Sequence, residues 1–180
     1  MQYREKAGQS LTEPVTVAEM ESYLGLDLDT TEETLIGKMI TAARKWAEEE
    51  TGLSMVSKIY EVRFYNEDAE SDYYELPFSP VTSITSVDIS GTTVEYDEKG
   101  LDQKFIRPQR SIITNTTTDE AYLDCEFVAG ADNEQANMVL RRIVNDMWNN
   151  RQDDLPDSPV AGLSFKTMRY LETLNTNVEL

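Results

Sequence analysis

The chain has 180 residues, with 34 acidic and 16 basic side chains, no histidine and a formal net charge of −18 at pH 7. The missing histidine excludes Ser-His-Asp and Cys-His dyads and any His-ligated zinc site. Cys125 is the one cysteine, so neither an intrachain disulfide nor a CxxC pair can form. With 39% hydrophobic and 9% aromatic residues set in periodic runs, the pattern is that of a folded protein with an acidic surface.

The acidity also argues against a basic nucleic-acid-binding module, which needs clustered Lys and Arg for phosphate contacts. No apolar run approaches the roughly 18–20 residues that span a bilayer, and Met1 to Ser10 is polar. The expectation is a soluble cytoplasmic product with no membrane partner. In that setting the sequon Asn115-Thr116-Thr117 would not be glycosylated.

In chain order, residues 1–13 show no periodicity and read as an unanchored N-terminal arm. Thr16 and Glu19 have the spacing of a capping box, which predicts a helix over 16–24 with Val17, Met20, Tyr23 and Leu24 on one face. Gly25 stands where a left-handed C-cap is wanted. A longer helix is predicted over 31–51, with Thr30 and Glu33 as a second capping box. Its apolar stripe is Leu35, Ile36, Met39, Ile40, Ala43, Trp46 and Ala47, and Gly52 ends it.

The period then changes to two. Ile59 to Tyr65 alternates as a half-buried strand does, and residues 61–75 hold six carboxylates against one arginine. A short strand is predicted from Tyr73 to Phe78, and a hairpin from Ile84, Val87 and Ile89 through Ser90-Gly91 to Val94 and Tyr96. Further strands are expected at 104–107 and 110–114, then one carrying Leu123, Cys125 and Phe127. Helical spacing returns over 134–151, with Asp132 and Gln135 as caps and Ala136, Val139, Leu140, Ile143, Val144, Met147 and Trp148 as the stripe. The expected fold class is α+β: long helices packed around a small inserted antiparallel β module (56–129), with extended N- and C-terminal arms. The organisation read from this is an arm at 1–13, one domain at 14–151, and a C-terminal tail or docking segment at 152–180.

Candidate chemistry is thin. Asp27 and Asp29 precede a helix start, where carboxylates favour the dipole and the free amides. As a calcium loop the stretch fails, with Glu32 where glycine is needed and Lys38 where a bidentate glutamate is needed. Asp97, Glu98 and Asp102, and Asp153, Asp154 and Asp157, read as solvated turn residues. A carboxylate-only hydrolase survives the lack of histidine, but nothing in the sequence pairs two carboxylates across a cleft. Cys125 shares the inward register of Leu123 and Phe127 and is expected to be a buried structural thiol. Trp46 and Trp148 are expected in the core. Arg141 and Arg142 point off the stripe of the last helix, as solvated charges or as partners for acidic groups on a neighbouring chain. Leu163, Phe165, Met168 and Leu171 are too apolar for a free tail, so docking on a partner or back on the core is expected. No catalytic residue, cofactor or metal is assigned.

Four stretches resemble the head–tail connector (adaptor, or head completion) family of tailed bacteriophages. Glu13-Pro14-Val15-Thr16-Val17-Ala18-Glu19 through Leu24, and Leu35 onward to Ala42-Ala43-Arg44 and Thr51-Gly52, are similar to its opening helices. Leu76-Pro77-Phe78-Ser79-Pro80-Val81 with Ser86-Val87 is similar to its strand entry. Phe127-Val128-Ala129-Gly130, then Ala136 through Trp148-Asn149-Asn150-Arg151, is similar to its last strand and helix. Two departures are Asp132-Asn133-Glu134 where the family commonly has a proline, and an unmatched segment after Pro159.

The resemblance implies a non-enzymatic virion protein at the neck. It would form a homo-oligomeric ring, a dodecamer in the virion, that binds the portal protein and the stopper or tail proteins. Such a ring passes genomic DNA without sequence-specific binding, and an acidic lumen suits passage because attraction to phosphates would retard it. Assembly would occur in the host cytoplasm. Another neck or tail-completion protein is the alternative within the same virion.

Overall fold

The computed structural model describes residues 1–65, 73–100, 104–109, 122–150, 167–169, 171 and 172. The segregation of apolar periods along the sequence is carried through to the fold. Met1–Leu11 with Val56–Ala131 forms one compact unit, which holds all the described strands, and Thr12–Met55 with Asp132–Leu180 forms a second, which holds the helices. This corrects the expected architecture of long helices around a small β module. The strands form two antiparallel sheets, of five and three strands, and strands and helices each build a hydrophobic core of their own.

In the β unit the strands are β1 (Gln2–Glu5), β2 (Lys58–Tyr65), β3 (Tyr74–Glu75), β4 (Val81–Ile89), β5 (Thr92–Thr93), β6 (Tyr96–Lys99), β7 (Phe105–Pro108) and β8 (Tyr122–Ala129). The larger sheet runs β1-β2-β8-β4-β5 and the smaller β3-β7-β6. Alternation decides the register of the central pair. Tyr60 faces Phe127, Val62 faces Cys125 and Phe64 faces Leu123, so each buried row of one strand meets a buried row of the next. Tyr60 stacks on Phe78 at 4.4 Å and on Phe127 at 5.5 Å between ring centroids. Tyr74 and Ile106 from the smaller sheet, with Leu76 just after β3, complete the same core.

Residues 1–13 are not an unanchored arm. Gln2–Glu5 pairs with β2 along four register positions, and the Gln9 side chain both donates to the Ile59 carbonyl (2.9 Å) and accepts from the Ile59 amide (2.6 Å). The arm escapes pattern reading because all four β1 residues are exposed, leaving no apolar alternation to see. The predicted Tyr73–Phe78 strand shrinks to β3, and the 104–107 strand is found as β7; 110–114 lies outside the described residues. The hairpin forms as β4 and β5, while Tyr96 opens β6 in the other sheet.

In the helical unit α1 is Val17–Leu24, α2 Thr30–Thr51 and α3 Glu134–Asn149. The Thr16–Glu19 capping box forms as its spacing predicts. The box on α2 shifts by one residue: Asp29 accepts from the Thr31 and Glu32 amides at 2.8 and 2.9 Å, and Glu32 returns to the Asp29 amide. Asp outcompetes Thr because its carboxylate also favours the positive end of the helix dipole. On α3 the cap is Asn133, and Asp132 instead accepts from the Asn137 side-chain amide. Ile36, Ile40, Ala43, Ala47, Ala136, Leu140, Ile143 and Val144 are fully buried in this core, with Trp148 beside them and Trp46 packed against its margin.

Gly130 closes β8 with φ +117°, donating its amide to the Pro80 carbonyl at 2.9 Å, and an added Cβ would overlap the Val56 carbonyl. Gly130→Ala is therefore expected to cost about 3 kcal/mol or more, whereas Gly91→Ala, also at positive φ but in open space, should cost only about 1 kcal/mol. Urea unfolding midpoints measure both, and equal losses would contradict the close approach at Gly130.

Candidate functional site

The strongest electrostatic feature of the helical unit lies inside it. Arg44 continues the buried α2 series Ile36–Ile40 by another four residues, and its side chain is only 2% exposed. Its Nε donates to Glu13 Oε2 at 2.7 Å and its Nη1 to Glu48 Oε2 at 2.8 Å. Glu48 also accepts from the Met55 amide at 2.9 Å, and Glu13 from the Thr41 hydroxyl at 2.9 Å. Burial works against the charge on Arg44, but the Glu13 hydrogen bonds and the charges of Glu48 and Glu13 outweigh it, so its pKa lies above the ordinary arginine value. This cluster was not anticipated from the sequence. Its signal was there, an Arg and a Glu four residues apart on an apolar stripe.

The β unit exposes a different array on the face of the larger sheet that points away from its core. Alternation sends Glu61 and Arg63 of β2 and Asp124 and Glu126 of β8 outward. Arg4 faces Glu61, which faces Glu126, which faces Ser86; one row along, Gln2 faces Arg63, then Asp124, then Asp88. Like charges opposite each other are offset by cations reaching across. Arg4 Nε donates to Glu61 at 2.6 Å and Lys6 Nζ to Glu126 at 2.5 Å, and Arg63 grips Asp124 with two bonds of 2.7 and 2.8 Å. Arg63 also lies 3.9 Å over the Tyr122 ring, and the Asp124 hydrogen bonds hold its pKa above the ordinary value. Arg4, Glu61, Arg63, Asp124 and Glu126 border a shallow hollow of about 490 Å³. Glu61 and Glu126 are each engaged by a cation, and Cys125 lies on the core side with its thiol pushed up to about 12 by burial and by the nearby Asp88 and Glu126 charges.

The residues singled out from sequence do not converge. Arg141 donates to Glu134 at 3.0 Å and lies 3.7 Å from Glu19 of α1, so its charge is met within its own chain. Arg142 is half-buried on α3. Leu171 is buried in the helical core and Met168 is half-buried; Leu163 and Phe165 lie outside the described residues. Asp97 and Glu98 are exposed on β6, with Asp97 opposite Arg107, where turn positions were expected. Asp102, Asp153, Asp154 and Asp157 lie outside the described residues. Among those described, no three acidic or cysteine side chains gather to hold a metal ion, and no helix is long and apolar enough to cross a membrane.

No protein-family model matches the chain, and no curated protein sequence matches it significantly. Its fold is similar to chains in three solved structures. One is from the virion of a native gene transfer agent particle, with a TM-score of 0.71 at 16% identity over 97% of this chain and 95% of that one. A second is from the neck of an empty particle of this kind, computed with C6 symmetry, with a TM-score of 0.71 at 17% identity over 97% and 95% of the two chains. The third is from the neck of a native particle computed with C12 symmetry, with a TM-score of 0.69 at 16% identity over 97% and 94%.

The two arginine arrays should respond differently to deletion. Removing Arg44 strands two carboxylates in or near a core, so Arg44→Ala is expected to cost about 3–5 kcal/mol. Arg63→Ala breaks a solvent-exposed pair and should cost about 1 kcal/mol or less. Chemical denaturation of the two variants tests this, and a loss at Arg63 as large as at Arg44 would contradict the assigned burial.

Proposed function

We propose that this chain is a structural subunit of the neck of a tailed-phage-like particle, a connector that forms a ring between the portal and the tail. The observation that carries this reading is the end-to-end fold likeness to chains in particle and neck structures, 97% of this chain at TM-scores of 0.69–0.71. The resemblance of residues 13–152 to the connector family supports it independently. C6 and C12 symmetry in the neck structures supports a cyclic assembly, with twelve copies as the proposed number in the virion. The partners proposed are further copies of this chain, the portal protein, and the stopper or tail proteins. Genomic DNA would pass through without sequence-specific contact.

The charge suits this role. A net −18 per subunit disfavours binding DNA through its phosphates. It also sets a condition on assembly, because like-charged subunits repel unless salt screens them. The activity proposed is mechanical and architectural, with no reaction catalysed and no cofactor.

Two consequences are open to sedimentation velocity. The isolated chain should remain small at low ionic strength and low concentration. Raising salt from about 0.02 M to about 0.3 M shortens the Debye length from roughly 20 Å to below 10 Å and should drive larger, discrete species at the same concentration. A strict monomer at every salt and concentration, which also fails to cosediment with portal rings, would overturn the reading.

A further inference from the structure

We propose that β1 is an exchangeable strand: in the assembled ring, the Gln2–Gln9 segment of one copy completes the β2 edge of its neighbour. The proposal rests on the ring reading above.

What holds β1 in place is transferable. All four of its residues are exposed, and Tyr3, half-exposed, touches Phe78 edge-on at 5.1 Å, so apolar burial contributes little to its docking. The attachments are polar and lie on β2 and β8. Arg4 pairs with Glu61, Lys6 with Glu126, and Glu5 with the Lys58 ammonium at 2.8 Å, whose own side chain is fully buried. The Lys6 amide donates to the Ile59 carbonyl at 3.0 Å, and Gln9 brackets the same residue. Every one of these partners exists in the same geometry on a second copy. The exchanged and unexchanged states therefore have the same contacts, and the balance between them is set by the hinge and by local concentration.

The hinge is short. Gln9 is tied to β2, and Glu13 is tied to Arg44 of α2. Only Ser10, Leu11 and Thr12 join them, so little of the chain has to rearrange for the strand to pass to another copy. A link of this length spans at most roughly 14 Å, so only a copy packed directly alongside can receive the strand. The occupant is specified as well. An uncovered β2 presents a row of backbone groups that needs a strand, and the alternation Arg4, Glu5, Lys6 matches Glu61, Lys58 and Glu126 by charge.

Cross-linking across the register tests this in the full-length chain. Arg4→Cys in one preparation and Glu61→Cys in another place thiols at directly opposed positions, while Cys125 stays buried. The two are mixed, concentrated until rings form by native mass spectrometry, and oxidised. Exchange predicts a band at the mass of two chains, several-fold stronger than in a control mixture with Lys45→Cys, on the exposed surface of α2, in place of Arg4→Cys. Gln2→Cys with Arg63→Cys repeats the test at a second opposed pair, so that strain at one pair cannot mask the result. Rings with cross-linking no greater than the control at both pairs would overturn exchange and leave the ring reading standing. Absence of both rings and cross-links would overturn both, and cross-linked pairs without rings would support exchange alone.

Discussion

Arg44 sets the frame for the helical unit. Its guanidinium gathers Glu13 from the segment before α1 and Glu48 from its own helix, and Glu48 in turn accepts the Met55 amide after α2 has ended. The chain enters this unit at Thr12 and leaves it at Met55, so one buried cation ties down both passages. Apolar packing of α2 against α3 supplies the bulk of the stabilisation, but it is non-directional. The charge cluster supplies direction, because a buried Arg is tolerated only where its donors meet carboxylates in good geometry.

The sequence made the local elements legible and left the long-range ones hidden. Thr16 and Glu19 announce α1 because a capping box is a contact between near neighbours. Tyr60, Val62 and Phe64 announce β2 because one of its faces is buried and the other is not. Strand β1 gave no such sign: its residues are all exposed, and its attachments, such as Arg4 to Glu61 and Lys6 to Glu126, bridge 57 and 120 positions of sequence. The expected picture of helices around a β module failed for a related reason. Periodicity reports which face of an element is apolar and says nothing of which other element covers it. The candidate surfaces follow the same rule. Arg44 was readable as an oddity on an apolar stripe, whereas the charged rows on the larger sheet arise from register between strands far apart in sequence.

The opening excess of 18 negative charges takes on a local form in the fold. On the outer face of the larger sheet, carboxylates are placed opposite one another and then engaged by Arg4, Lys6 and Arg63. Among the described residues these cations are paired within the chain, as are Arg44, Lys58 and Arg141. Cations committed in this way offer little to phosphates. That is consistent with the proposed role.

Location within a particle is the decisive property of this chain. Electron microscopy of particles carrying this chain, with a gold label on a tag fused to it, addresses that directly. The reading predicts label in a ring at the vertex where head meets tail. Label over the head shell, along the tail tube, or absent from finished particles would contradict it.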